Sequence, residues 1–85
     1  MYYVYMLRNK NGKTYTGYTS DLKARISSHN NGENTSTRGH MWELIYYEAY
    51  KSKKDAVNRE LSLKKSGQAR RWLKERIEYS LSDKS

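Results

Sequence analysis

The first nineteen residues, MYYVYMLRNKNGKTYTGYT, predict a β-hairpin and set the fold class. Residues 1–7 are aromatic and β-branched without a helical period, and residues 13–19 alternate threonine with tyrosine or glycine. Between them, Asn9, Asn11 and Gly12 favour a tight turn, because asparagine and glycine accept the positive φ that such turns need. We therefore predict an antiparallel pair of strands.

The length of this turn decides which side chains share a face of the sheet. A two-residue turn places Tyr5 and Tyr15 on opposite faces. A three-residue turn, with Gly12 in the left-handed conformation, places both tyrosines and Gly17 on one face. The sequence alone leaves both registers open.

The rest of the chain adds one strand and about three helices. Ser20 is expected to cap a helix over residues 21–30, in which Leu22 and Ile26 recur at helical spacing. Residues 41–50, MWELIYYEAY, return to the β-rich aromatic pattern and predict a third strand.

Two helices are predicted after the third strand. Ser52 and Asp55 resemble a capping box, and Gly67 is expected to end the helix that they open, near residue 66. The apolar stripe of the last helix is Ala69, Trp72, Leu73 and Ile77. The result is an α+β fold of order ββαβαα, with a three-stranded antiparallel sheet flanked by helices. We expect one domain over residues 1–80 and a frayed tail over residues 81–85.

Length and composition exclude several classes of protein. Eighty-five residues suffice for one small domain. Only 35% of them are hydrophobic, so we expect neither a membrane-spanning segment nor a signal peptide. The chain has no cysteine, which excludes disulfides, thiolate zinc sites and cysteine nucleophiles and favours a reducing cytoplasm. Nine tyrosines and two tryptophans argue against disorder.

Positive charge is concentrated in the last third of the chain. The net charge is +8, and residues 51–76 contain ten Lys and Arg against three Asp and Glu, a local net charge of +7. Such density along helical sequence is typical of surfaces that meet phosphates. We therefore expect Arg70, Arg71 and Lys74 to contact nucleic acid. A solvated basic face is the plainer alternative, and an anionic membrane surface is a weaker one.

Five side chains of complementary chemistry could meet at one surface: Tyr5, Tyr15, Arg25, His29 and Glu60. Such a set suits hydrolysis of a phosphodiester. A carboxylate can hold one divalent cation, a guanidinium can neutralise phosphoryl charge, and a phenol or an imidazole can position or deprotonate water.

Each of these residues also has an ordinary structural interpretation. Glu60 could form a helix-surface pair with Lys64, and Arg25 with Asp21. The two tyrosines could simply be core aromatics. Gly17 could mark a strand bulge instead of a close approach to a ligand.

Several motifs, taken in order, resemble those of the GIY-YIG nuclease superfamily. They are Tyr3-Val4-Tyr5, Tyr15-Thr16-Gly17, the DLKAR run at 21–25, His29-Asn30 and Arg59-Glu60. The resemblance spans about residues 2–75. It is strongest to the short stand-alone bacterial branch related to the nuclease domain of the excision-repair subunit that incises 3′ of a lesion. Residues 37–38, 42–48 and 64–67 are also similar to that branch.

The resemblance implies a cytoplasmic, metal-dependent endonuclease that acts on DNA or structured nucleic acid, in DNA repair or recombination, with an unidentified repair partner. It implies that Tyr5 and Tyr15 line the active site, that Arg25 stabilises the scissile phosphate, and that His29 is catalytic or contacts phosphate. It also implies one Mg²⁺ or Mn²⁺ ion held by Glu60. Together with the basic helix, the expected nucleic-acid contacts are Gly17, Arg38, Lys64, Lys65, Arg70, Arg71 and Lys74.

The sequence also departs from the family pattern. Tyr3 stands for the first glycine of the GIY motif, Thr16 for the isoleucine of YIG, and Tyr18 for a lysine of the repair subunit. The late asparagine of several family members has no counterpart after Asn58. The alternative is therefore a nucleic-acid-binding or repair-accessory module without turnover. A domain that binds a protein partner through its aromatic strand is a third interpretation.

Overall fold

The computed structural model describes residues 1–33, 39 and 41–82. The strands β1 (Tyr2–Arg8), β2 (Thr14–Thr19) and β3 (Glu43–Tyr50) form an antiparallel sheet in the order β2-β1-β3. The helices are α1 (Leu22–Asn30), α2 (Lys53–Lys65), α3 (Gly67–Arg76) and α4 (Glu78–Leu81). The α+β class and the ββαβαα order are confirmed, with a short fourth helix added. Arg38, one of the expected nucleic-acid contacts, lies outside the described residues.

The turn between β1 and β2 takes the three-residue form. Tyr5 pairs with Gly17 across the strands, and Gly12 has a φ of 87°. The side-chain oxygen of Asn9 accepts two hydrogen bonds from backbone amides of the turn, each 3.0 Å long. This register places Tyr5, Gly17 and Tyr15 on one face of the sheet.

Apolar side chains cover both faces of the sheet. On one face, Val4 and Met6 of β1 belong to one core cluster with residues of α2 and α3 and with the residue that follows α3. The buried residues on this side are Val4, Met6, Ala56, Leu63, Leu73 and Ile77. On the other face, Tyr5 and Leu7 pack with Trp42 and the apolar side of α1. The two successive residues Val4 and Tyr5 thus belong to different halves of the core, as the alternation of a strand requires.

Helix α1 is capped by Asp21, so the expected cap at Ser20 is wrong. Asp21 is still extended, and its carboxylate accepts a 3.1 Å hydrogen bond from the backbone amide of Ala24. The hydroxyl of Thr19 accepts from the amide of Asp21 at 3.1 Å. This bond keeps the chain non-helical for one residue longer than the sequence suggests.

A single residue, Ser66, joins α2 to α3. Its backbone amide donates to the carbonyl of Ser62 at 2.9 Å, and its hydroxyl accepts from the amide of Ala69 at 3.1 Å. Gly67, which we expected to end α2, is therefore the first residue of α3. At the opposite end of α2, Ser52 makes no side-chain cap bond, so the predicted capping box does not form.

The apolar stripe of α3 is narrower than predicted. Leu73 and Ile77 are buried, but Trp72 is 63% exposed. Neighbouring residues on a helix differ by about 100° in direction, so Trp72 lies beside the stripe and the small core does not reach it.

The chain continues as helix beyond Tyr79. Leu81, which we expected in the frayed tail, belongs to α4 and packs against the core. A guanidinium nitrogen of Arg8 donates to its carbonyl. Residues 83–85 lie outside the described residues. None of the helices in the described ranges has the length and hydrophobicity needed to cross a membrane.

Candidate functional site

A buried pair of residues, Tyr5 and His29, forms the centre of the site. The hydroxyl of Tyr5 lies 2.8 Å from Nε2 of His29, and the two residues are 1% and 0% exposed. The ring of Tyr15 lies edge-on to that of His29, with centroids 4.8 Å apart, and 6.4 Å from the ring of Tyr5. The hairpin register and α1 thus bring three of the expected site residues together.

Gly17 provides the space that Tyr5 occupies. A Cβ atom at Gly17 would lie 2.5 Å from the hydroxyl oxygen of Tyr5 and 2.7 Å from Cζ. Atoms of a rigid ring cannot be that close to a methyl carbon. The structure therefore gives Gly17 a role inside the protein, and its expected contact with nucleic acid stays a prediction.

Both members of the central pair are neutral near pH 7. Burial lowers the pKa of His29, and the positive charge of Arg25 lowers it further. Burial raises the pKa of the Tyr5 phenol, with a further contribution from Tyr15, while Arg25 offsets part of the increase. The hydrogen bond therefore joins a phenol and a neutral imidazole, and the tautomer of the imidazole decides which group donates.

Two opposite charges act on the same hydroxyl group from different helices. Arg25 is an exposed residue of α1, and its charge lowers the pKa of Tyr5. Glu60 belongs to α2, and its charge raises the pKa of Tyr5. Both residues are thus close enough for electrostatic coupling to the central pair.

Glu60 forms an ion pair with Lys64, one helical turn further along α2. Nζ of Lys64 lies 3.4 Å from Oε2 of Glu60, and the side chains are 45% and 12% exposed respectively. The same ammonium lies 5.7 Å from the centroid of the Tyr15 ring. The helix-surface pair considered from the sequence does form, but it borders the tyrosines of the site.

Glu60 offers a suitable ligand to a hard cation. Within the described ranges there is no group of three or more histidines and carboxylates able to hold a metal ion. One carboxylate is nevertheless sufficient for Mg²⁺, which keeps several waters and takes further ligands from substrate phosphates. The ammonium of Lys64 stands in for such a cation at Glu60.

A second polar cluster lies on β3, and the sequence analysis missed it. The carboxylate of Glu48 accepts hydrogen bonds from the hydroxyls of Tyr46 and Tyr50. It also accepts two from the guanidinium of Arg59, at 2.9 and 3.1 Å. Arg59 immediately precedes Glu60, so these bonds hold the turn of α2 that carries Glu60 against the sheet. Tyrosines two residues before and after a glutamate in a strand were the available signal.

Asn30 joins the end of α1 to the start of β3. Its side chain accepts from the amide of Trp42 at 2.7 Å and donates to the Trp42 carbonyl at 3.2 Å. The Trp42 ring in turn lies 6.4 Å from the ring of Tyr15. Asn30, the residue after His29, thus holds Trp42 beside the site, a role that the motif His29-Asn30 alone did not indicate.

The expected basic contacts divide into two groups. Lys65, Arg71 and Lys74 are exposed. Arg70 is half-buried, and its guanidinium donates to the carbonyls of Leu63 and Lys64 at the end of α2, at 2.8 and 2.7 Å. Arg70 therefore stabilises a helix terminus, whereas its neighbours face solvent.

Comparison with known proteins gives concordant results for sequence and structure. Residues 1–75 match the family model described as the GIY-YIG catalytic domain. A UPF0213 protein of Clostridium perfringens is 43% identical over 68 residues, which cover 76% of this chain and 72% of the relative. A UPF0213 protein of Staphylococcus haemolyticus is 41% identical over 66 residues, which cover 74% and 79% of the two chains.

A solved structure extends the similarity to almost the whole chain. It is the solution NMR structure of a UPF0213 protein from Bacillus halodurans, which matches with a TM-score of 0.60 and 34% identity. The match covers 99% of this chain and 96% of the other.

Proposed function

The chain belongs to the GIY-YIG family, and from this premise we propose that it is a metal-dependent endonuclease that hydrolyses phosphodiester bonds in DNA or structured nucleic acid. One observation carries the proposal beyond family membership. Two phenols and a neutral imidazole are packed together, and the charges of Arg25 and Glu60 act on the Tyr5 phenol from two different helices.

The neutral pair Tyr5 and His29 can remove a proton from the attacking water. The water proton passes to the hydroxyl oxygen of Tyr5 while the hydroxyl proton passes to Nε2 of His29, 2.8 Å away. No phenolate is needed before the reaction, which agrees with the raised pKa of Tyr5. Both side chains are buried, and in this proposal only the Tyr5 hydroxyl meets the water, while His29 positions that hydroxyl and accepts its proton.

The remaining residues act on the phosphate. The water oxygen forms a bond to phosphorus as the bond from phosphorus to the leaving sugar oxygen breaks, and charge grows on the phosphoryl oxygens. Arg25 is exposed and can pair with these oxygens, while Tyr15 is half-buried and can orient the water. Glu60 would hold one Mg²⁺ or Mn²⁺ ion, which when bound would stabilise charge on the phosphoryl and leaving oxygens.

The cellular setting is part of the proposal. The absence of cysteine supports a reducing cytoplasm, and the net charge of +8 supports nucleic acid, above all DNA, as the partner. A role in repair or recombination, with a repair partner, follows from the resemblance of the motifs and is proposed on that ground alone.

The test is a cleavage assay on branched, nicked and single-stranded substrates with Mg²⁺ or Mn²⁺. Glu60→Gln keeps the shape of the side chain but removes the charge that attracts a hard cation, so cleavage should fall by orders of magnitude. Binding measured without metal should be unchanged or slightly tighter, because a negative charge near the phosphate is gone. The matched control is Glu75→Gln, at an exposed position of α3, which should cleave normally.

Two results would reject the proposal. Cleavage by Glu60→Gln at the wild-type rate would assign the activity to another site or to a contaminant. Binding of every substrate by the wild-type protein without any cleavage would favour the binding-module alternative.

A further inference from the structure

The ion pair between Glu60 and Lys64 differs from an ordinary helix-surface pair. The Glu60 side chain is only 12% exposed, so most of it is out of contact with water. A carboxylate in such a position needs a partner of opposite charge. In the described structure that partner is the ammonium of Lys64, 3.4 Å from Oε2.

Lys64 is also held from a second side. Its ammonium lies over the ring of Tyr15, 5.7 Å from the ring centroid, where the negative face of the ring attracts a cation. The side chain is 45% exposed, so the ammonium can move into solvent. Two weak attractions thus hold the Lys64 ammonium at the Glu60 carboxylate, and neither prevents another cation from replacing it.

We propose that Lys64 is the resident counter-ion of Glu60, which a divalent cation must displace before it can bind the carboxylate. This inference rests on the proposed function, because it concerns the metal site of the same reaction. The ammonium and the metal compete for one carboxylate, so Lys64 raises the metal concentration needed to fill the site. Once displaced, the ammonium is free to pair with a phosphate of the substrate.

The arrangement has a consequence for the order of events. Without a divalent cation, Glu60 is neutralised by Lys64, so the site presents the charge of Arg25 to an approaching phosphate without an unpaired negative charge. With the cation, Glu60 is neutralised by the metal and Lys64 becomes an additional positive group. Lys64 therefore links metal binding to stronger attraction of the phosphate.

The inference is tested by metal binding in the absence of nucleic acid. Free Mn²⁺ is measured by electron paramagnetic resonance during titration of wild-type protein, Lys64→Met and Lys64→Arg. Lys64→Met keeps the aliphatic stem but removes the competing charge, so the Kd for Mn²⁺ should fall by about three- to tenfold. Lys64→Arg retains a competing cation and should not tighten Mn²⁺ binding.

Two further variants make the measurement specific. Glu60→Gln supplies the background, because only binding that it abolishes belongs to this carboxylate. Lys54→Met makes the same change of net charge at an exposed position of α2 and should leave the Kd unchanged. Equal tightening in Lys64→Met and Lys54→Met, equal tightening in Lys64→Arg, or no binding that depends on Glu60 would each overturn the inference.

The outcome is separate from that of the proposed function. If no substrate is cleaved but Lys64→Met still tightens the Mn²⁺ binding that depends on Glu60, the nuclease proposal is rejected and the role of Lys64 is kept. If the wild-type protein cleaves but the Kd for Mn²⁺ is unchanged in Lys64→Met, the role of Lys64 is rejected and the nuclease proposal is kept.

Discussion

The hydroxyl of Tyr5 and Nε2 of His29 are 2.8 Å apart, in the interior between the sheet and α1. His29 has no exposed surface, so in the proposed reaction it acts on a substrate through its neighbours Tyr5 and Tyr15. In the proposed reaction the phenol takes the proton from the water, and the imidazole receives the proton that the phenol gives up.

Replacement of Tyr5 by Phe should separate catalysis from binding. The change removes the relay hydroxyl, so we expect single-turnover cleavage to fall by about 10²- to 10⁴-fold. It also leaves Nε2 of His29 without this partner, which should lower the free energy of unfolding by about 1–3 kcal/mol. Tyr2→Phe, a half-buried tyrosine of β1 on the opposite face, is the control. Normal cleavage by Tyr5→Phe would remove the relay.

Stability should depend on pH through His29. Its folded-state pKa lies below the ordinary value of 6.5, so just under that pH the unfolded chain binds a proton that the folded chain does not. The free energy of unfolding should therefore decrease as the pH falls from about 7.5 through 6.5 towards the folded-state pKa. Urea unfolding across this range measures the effect, and His29→Gln should flatten the curve. An equally steep curve in the variant would assign the dependence to other groups.

Two glycine substitutions should have different consequences for the site. Gly17→Ala puts a methyl group 2.5 Å from the Tyr5 hydroxyl, so the ring must shift; we expect a loss of about 1–3 kcal/mol and a large loss of cleavage. Gly12→Ala strains a residue with φ of 87° but meets nothing within 4 Å. It should lower stability by about 1 kcal/mol and leave cleavage intact when assayed well below its melting temperature. Equal effects of the two variants on cleavage would show that the Gly17 contact is not specific.

The Glu48 cluster should stabilise the fold in a pH-dependent manner. Burial alone would raise the pKa of Glu48, but hydrogen bonds from Arg59, Tyr46 and Tyr50 hold it below its ordinary value of 4.5. Its contribution is therefore complete above that value and is lost as the pH falls through the folded-state pKa.

The corresponding variant is Glu48→Gln, which leaves Arg59 without a charged partner. We expect a loss of about 1–3 kcal/mol at neutral pH by urea unfolding, discounted because both side chains are partly exposed. Glu43→Gln, at an exposed position of the same strand, should be nearly silent. A difference between the variants that persists unchanged below pH of about 3 would contradict the assignment.

Charge reversal on α3 should weaken nucleic-acid binding and reduce its salt dependence. Arg71→Glu with Lys74→Glu changes two exposed residues and leaves the Arg70 contacts with α2 in place. Each lost phosphate contact should lower the slope of log K against log salt concentration by about 0.7 to 0.9. The same reversal at Lys10 and Lys13, exposed in the hairpin turn, is the control. An unchanged slope in the α3 variant would identify this helix as a solvated basic face.

Much of the fold follows from local pattern, and the exceptions depend on contacts between distant elements. Aromatic and β-branched composition predicted β1 and β3, and the alternation of threonine with tyrosine or glycine predicted β2. Such patterns did not predict Trp72, whose exposure depends on how far the core extends, or the cap at Asp21, which depends on Thr19.

The candidate site shows the same division. The five expected residues could be proposed from their chemistry and motifs. The complete burial of His29 and the hydrogen bonds from Arg59 to Glu48 could not be predicted, because they arise only when α1 and α2 pack on the sheet. The contact of Lys64 with the Tyr15 ring also joins two distant elements, so the spacing of residues in the sequence could not predict it.

The three-residue turn at Gly12 restricts which insertions and deletions this chain can accept. Surface turns usually tolerate a change of length at small cost, since they contact little else. If a turn shortened or lengthened by one residue kept its three-residue form, the pairing of β2 with β1 would shift by one residue, and Tyr15 would leave the face of Tyr5 while the strands still paired. Such a protein would retain a hairpin but lose the site. A length variant of this turn therefore keeps the site only where the turn itself absorbs the change and the pairing of Tyr5 with Gly17 is preserved.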